Sequence, residues 1–231
     1  MTAPANYEVR RGDTLYSIAF RYGLDWRDIA AWNRLSAPYT IRPGQSLRMT
    51  EPPRPIAQNE RPAVTSTPPA PRPTPDPESP PRQTVPDRQS SSAPPPPSSG
   101  SRASTRTIAG VAWRWPTDGD VARPFDASAA RRGIGIRGQA GQQVVAAADG
   151  EVVYSGTALI GYGELIIIKH SSQLLSAYGH NRARLVAEGV RVQAGQPIAE
   201  MGLDETDQAI LHFEVRRNGQ PENPLSFLPT R

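Results

Sequence analysis

The 231-residue chain has no cysteine, which excludes disulfides and any zinc site built on thiolates, and leaves the redox compartment unreadable from thiols. It also has no run of 18 or more apolar residues, so no helical membrane span is expected. The opening residues Met1-Thr2-Ala3-Pro4 lack the basic and apolar regions of a secretory signal. Either the chain is cytosolic or its export segment lies outside this sequence. No basic stripe with interleaved aromatics occurs, and nucleic acid is therefore not an expected partner. Aromatic residues are few overall and absent from residues 51–107, where 17 of the 26 prolines lie. Such a stretch buries too little apolar surface to offset its ordering entropy, so 51–107 is expected to be a disordered Pro/Ser-rich linker.

The linker divides the chain into two blocks, 6–50 and 108–231. The net charge is +4, yet 108–231 carries twelve basic and thirteen acidic residues. The excess positive charge sits on the first block and the linker, where it suits an anionic polymer at low specificity.

In the first block, Tyr7-Glu8-Val9-Arg10 alternates like a half-buried strand. Asp13 or Thr14 can cap a helix carrying Leu15, Ile18, Ala19 and Tyr22, with Gly23 ending it in the left-handed conformation. Asp25 starts a second helix with Trp26, Ile29, Ala30 and Trp32 on its buried side; Pro43-Gly44 turns into a return strand at Ser46–Met49. The order strand–helix–helix–strand predicts a small α+β domain. Its motifs, Val9-Arg10-Arg11-Gly12-Asp13-Thr14-Leu15, then Asn33, then Ile41-Arg42-Pro43-Gly44-Gln45-Ser46-Leu47, resemble a LysM domain. That resemblance implies binding to N-acetylglucosamine-containing glycan, mainly peptidoglycan or chitin, in a groove formed by Gly12, Asp13, Thr14, Asn33, Tyr39, Ile41 and Pro43. Asp13 reads as a helix cap first and a ligand contact second. Tyr39 is expected to be an exposed aromatic available for stacking on a sugar.

The second block is a series of short apolar runs between glycines: 143–146, 150–154, 164–169, 176–178, 190–192, 197–201 and 211–215. They predict a mainly antiparallel β-fold, with Asp149-Gly150 and Asn218-Gly219 as hairpin turns. All three histidines, His170, His180 and His212, lie here. They could converge on a metal, or each could be a hydrogen-bonded structural residue. The runs Gly161–His170, Tyr178-Gly179-His180, Val192–Ala199, Leu211-His212-Phe213-Glu214-Val215 and Asn223-Pro224-Leu225 resemble a LytM/lysostaphin-type zinc peptidase domain. Working members carry an H-x-x-x-D pair, a Y-x-H and a final H-x-H. On that pattern Arg131 stands at the first ligand position, Gly135 at the aspartate ligand and Ile210 at the first histidine of the final pair. Only His180 and His212 survive. An arginine does not ligate a cation, and a glycine has no side chain to do so; the expectation is no zinc, no cofactor and no peptidase activity.

Together with the LysM-like block, these departures resemble NlpD-type murein hydrolase activators. The resemblance implies a non-catalytic partner of a periplasmic N-acetylmuramoyl-L-alanine amidase in septal peptidoglycan splitting. It also implies a periplasmic, cell-envelope location and an outer-membrane lipid anchor, although no lipobox cysteine stands in this sequence. The former metal groove, with Arg131, Arg132, Gly135, His180, Ile210 and His212, is the expected partner-binding surface. The alternatives are an active zinc endopeptidase and a passive wall-binding scaffold.

Overall fold

The computed structural model describes residues 3–52, 104–127 and 132–231. The linker expectation therefore falls almost wholly outside the described residues, as does Arg131.

The first block folds as β1 (Asn6–Glu8), α1 (Leu15–Tyr22), α2 (Trp26–Trp32) and β2 (Ser46–Arg48). β1 and β2 pair antiparallel with Tyr7 opposite Leu47, both buried. The start of α1 is fixed by Thr14, not Asp13. Its hydroxyl accepts from the Ser17 amide at 3.0 Å, and the Ser17 hydroxyl accepts from the Thr14 amide at 2.9 Å. This reciprocal pairing satisfies two amides that a helix end leaves open. Gly23, at φ 68°, closes the helix, a conformation that costs glycine little. Asp25 caps α2 by accepting from the Arg27 amide. Leu15, Ile18, Ala19, Trp26, Ile29 and Leu47 form the core of this domain.

The second block begins with a hairpin of β3 (Arg106–Ile108) and β4 (Val111–Trp113), so regular structure starts two residues inside the stretch read as linker. There follow β5 (Val121–Arg123), β6 (Ile134–Arg137), β7 (Gln143–Val145), β8 (Gly150–Gly156), β9 (Glu164–Lys169), β10 (Leu174–Arg184), β11 (Arg191–Val192), β12 (Pro197–Met201), β13 (Ile210–Arg217) and β14 (Gln220–Glu222). One antiparallel path runs β11-β8-β9-β10-β13-β6-β5, with β12 bridging β10 to β7 and β14 on β13. Asn218-Gly219, both at positive φ, is the hairpin turn between β13 and β14. Asp149-Gly150 is not a hairpin. β7 pairs with β12 and β8 pairs with β9. The fully buried Ala146, Ala147 and Ala148 carry the chain through the core between them.

Period-two alternation gives the strands two buried faces. On β9 and β13, Ile166, Ile168, Leu211, Phe213 and Val215 point into the main core with Trp113 and Tyr178. Leu165 and Ile167 of β9, with Leu175 and Ala177 of β10, point the other way. That second face is covered by Phe20 of α1, which is 1% exposed. The described residues of both domains form one compact unit. Burying a phenylalanine in this way is worth about 2–3 kcal/mol.

Candidate functional site

Alternation on β13 places His212, Glu214 and Arg216 in a row on the face opposite the main core. The cross-strand neighbours of His212 are Gly135 on β6 and Gly179 on β10. With no side chain on either flank, the imidazole stands in an open floor. The register of β10 slips between Tyr178 and Asn181, and His180 adopts φ 60°. This irregularity turns the His180 ring to 5.8 Å from that of His212.

Glu214 is the hub. Its Oε1 accepts from the Tyr162 hydroxyl at 2.9 Å and lies 2.9 Å from His212 Nε2; its Oε2 accepts from Arg216 Nε at 2.8 Å. Burial alone would raise the Glu214 pKa, but the Arg216 charge and the hydrogen bonds from His212 and Arg216 hold it down at about 2. Burial, with the neighbouring Glu214 charge, pushes Tyr162 up to about 12. Burial, and then the proximity of His212, lowers the His180 pKa. A neutral His212 that bonds a carboxylate through Nε2 carries its proton there, leaving only the Nδ1 lone pair.

These residues do not fit a zinc ion. A Cβ on Gly135 would lie 2.9 Å from Ile210 Cγ2 and 3.0 Å from Arg123 Cβ, so no ligating side chain fits at that position unless its neighbours shift. Ile210 is buried and apolar. Arg123 is held beside Gly135 by an ion pair with the buried Asp204. Among the described residues no three His, Cys, Asp or Glu side chains are grouped to hold a metal. His170 does not join the other two histidines. It bonds the Asp149 carbonyl and the Ser176 hydroxyl, each at 2.7 Å, and packs on Trp113; burial lowers its pKa to about 4.

What remains is a groove of about 560 Å³ over Gly135, His180, Ile210 and His212. Arg132 and Glu205 line it, and Ile160, 95% exposed, stands among its lining residues. The structure thus brings together five of the six residues expected to form the groove; Arg131 lies outside the described residues. Ile160, Tyr162 and Arg123 were not foreseen. Ile160 carried a weak signal, an isoleucine directly before the Gly161-Tyr162-Gly163 turn.

In the first domain, Asp13 accepts from the Tyr7 hydroxyl at 2.7 Å and from the Arg10 amide at 2.9 Å, and pairs with Arg21. It braces the loop rather than capping α1. Asn33 is likewise occupied: its side chain donates to the Ile29 and Arg48 carbonyls and accepts from the Arg48 amide, all at 2.8 Å. Tyr39 is half-buried, not exposed, because its ring packs edge-on against Trp26 at 5.0 Å. Asp13, Thr14, Tyr39 and Ile41 line one cleft, and Gly12 lines a second that shares Asp13 and Thr14. Asn33 and Pro43 line neither.

Comparison with known proteins matches both blocks. A family model described as LysM domain covers residues 7–50, and one described as Peptidase family M23 covers 129–224. The chain is 48% identical to the Pseudomonas aeruginosa "Lipoprotein NlpD/LppB homolog", over 97% of this chain and 77% of that protein. It is 41% identical to the Salmonella typhimurium "Murein hydrolase activator NlpD", over 100% of this chain and 70% of that one. The solved structure of Helicobacter pylori Csd3 matches with a TM-score of 0.46 at 29% identity, covering 52% of this chain and 33% of that one.

Proposed function

The chain belongs to the family of NlpD-type murein hydrolase activators, a LysM domain followed by an M23 peptidase-like domain, and from that membership we propose that it is a non-catalytic activator of an N-acetylmuramoyl-L-alanine amidase. It works on peptidoglycan in the cell envelope, at the septum where daughter cells separate. The LysM domain holds it to the wall, and an outer-membrane lipid anchor, for which the lipoprotein name of the Pseudomonas aeruginosa relative is the support, adds a second tether.

The observation that carries this reading is the groove. Gly135 stands at a metal-ligand position and Ile210 at a catalytic-histidine position, yet the concavity persists with an apolar floor, two histidines and the exposed Ile160. A preformed groove of this kind suits a helix or peptide of a protein partner. Arg132, with Arg131 beside it in sequence, supplies cationic groups for acidic residues of the amidase. His180 and His212 serve as contact residues and not as catalysts.

The test is dye release from labelled sacculi by a purified amidase, with and without the full chain. The chain alone is expected to release nothing, and the amidase with the chain far more than the amidase alone. Arg132→Glu should reduce the stimulation while sacculus pull-down is unchanged. Chelator-sensitive release by the chain alone would overturn the non-catalytic reading.

A further inference from the structure

Of the residues assigned to glycan binding, Gly12, Asp13, Thr14, Tyr39 and Ile41 line clefts shared with the β-domain. The shortest hydrogen bonds between the two domains lie at one end. At the C-terminal end of α1, the Phe20 ring lies under the Arg216 guanidinium at 3.3 Å, and Arg216 Nη1 donates to the Phe20 carbonyl at 2.6 Å. Gln220 donates to the Gly23 carbonyl at 2.7 Å, and Arg27 to Asn218 at 2.6 Å. Along the cleft side the links are longer: the Thr14 hydroxyl donates to the Val153 carbonyl at 3.3 Å, Lys169 Nζ, which also lies over the Tyr16 and Trp26 rings, donates to the Tyr16 hydroxyl at 3.2 Å, and Arg21 donates to the Ala158 carbonyl at 3.1 Å. Between these links two clefts open. One cleft, of about 890 Å³, runs between Arg11–Thr14 and the β-domain segments 154–158 and 184–188. The other, of about 280 Å³, runs between Tyr16, Tyr39 and Ile41 and the segments 151–153 and 188–189. Asp13, Thr14 and Glu188 line both, so the two are one cleft with a waist at Thr14.

We propose that this cleft is a composite glycan site, in which a strand held by the LysM loops is walled on its other side by β8 and the segment from Arg184 to Gly189. This rests on the reading of the first domain as a wall-glycan binder; what it adds is the second wall. The chemistry fits an uncharged, hydroxyl- and amide-bearing strand. Arg11, Asp13, Arg184 and Glu188, two groups of each sign, line the larger cleft with Tyr154, Ser155 and Gly156 of β8. Tyr16 and Tyr39 supply ring edges in the smaller one. Because the shortest contacts lie at the far end of α1, a strand can enter without undocking the domains. Sugar binding and docking therefore reinforce one another, and undocking should weaken binding.

The test measures affinity of the full chain for chitopentaose by calorimetry. Ala187→Trp and Thr157→Trp each place a bulky ring on an exposed β-domain position of the larger cleft, and Phe20→Ala loosens the docking without touching the cleft. All three are expected to bind about tenfold more weakly than the parent, with cooperative melts retained; Tyr39→Ala, on the LysM side, should also lose affinity. If Tyr39→Ala loses affinity while the three others bind as the parent does or more tightly, the second wall is refuted and the LysM reading stands. If the parent chain fails to bind chitopentaose, the LysM reading fails and the composite site falls with it.

Discussion

Two ends of one strand face contrast the demands of function and of stability. Along β13, His212, Glu214 and Arg216 share a face, yet their side chains are 24%, 0% and 1% exposed. The His212 end is left open by Gly135 and Gly179 and looks into a groove. The Arg216 end is sealed beneath Phe20 of the other domain. A buried charge is tolerable only with partners that replace water. Arg216 has them in Glu214 and the Phe20 carbonyl. Glu214 sits between the two regimes, bonding Arg216 on one oxygen and Tyr162 and His212 on the other. The strand is thus a rigid bar linking the domain junction to the groove, and its exposed end owes its orientation to its buried end.

The largest effect should come from breaking that bar. Glu214→Ala leaves Arg216 buried beside no carboxylate and His212 without its acceptor. Chemical denaturation should show a loss of about 3–5 kcal/mol, typical of an orphaned buried charge. A loss under 1 kcal/mol would mean that water reaches Arg216. Next is Phe20→Ala. Phe20 packs in the β-domain's second cluster and not in the core of its own domain, so the LysM fold should survive. The cost is capped by the docking energy, because the domains separate rather than keep a cavity, and about 3 kcal/mol is expected. Hydrogen exchange at Leu165 and Ile167 should rise together with the loss; unchanged exchange would place the junction elsewhere.

Acid gives a smaller effect whose sign follows from the shifted groups. His170, folded, titrates at about 4 because burial disfavours its charge, against about 6.5 in an unfolded chain. Between those values the unfolded chain binds a proton that the folded one does not, so stability falls as pH drops from 6.5 toward 4. The loss is on the order of 2 kcal/mol, and the lowered His180 adds to it in the same direction. Glu214, depressed to about 2, extends the fall from about pH 4.5 downward. Melting temperatures at pH 7, 5.5 and 4.5 should decline steadily, and His170→Gln should flatten the upper part of that decline. A slope that His170→Gln leaves unchanged would assign the titration to other groups.

How far the sequence discloses these features depends on how local their causes are. The helices of the first domain were legible because their caps lie within three residues of what they cap: Thr14 with Ser17, and Asp25 with Arg27. Strands with an apolar run, such as Glu164–Lys169, were legible for the same reason. The hairpin β3–β4 and strands β5, β6 and β14 were not named, since they are only three residues long or, in Ile134-Gly135-Ile136-Arg137, broken by glycine. Asp149-Gly150 misled because the turn signal is local whereas pairing is decided by the buried alanines that cross the core. The identities at Gly135 and Ile210 could be read directly, but not that Arg123 packs against Gly135. The Arg216–Phe20 contact spans 196 residues of sequence, and no pattern along the chain announces it.

The smallest effect on stability should accompany one of the largest effects on function. Ile160 is almost wholly exposed, so Ile160→Asp removes no buried contact, and its folding free energy should stay within about 0.5 kcal/mol of the parent. At a protein interface an exposed aliphatic beside a groove is a different object. It becomes buried when the partner seats, and a carboxylate in its place would remove that apolar contact and have to be desolvated. Ile160→Asp should therefore cut amidase stimulation about tenfold or more while leaving the melt and the sacculus pull-down unchanged. Ile160→Leu, which keeps the apolar surface, should stimulate nearly as the parent does. If Ile160→Asp stimulates fully, the amidase does not seat against this part of the groove, and the open end of β13 must be read as a relic of the metal site rather than as a docking surface.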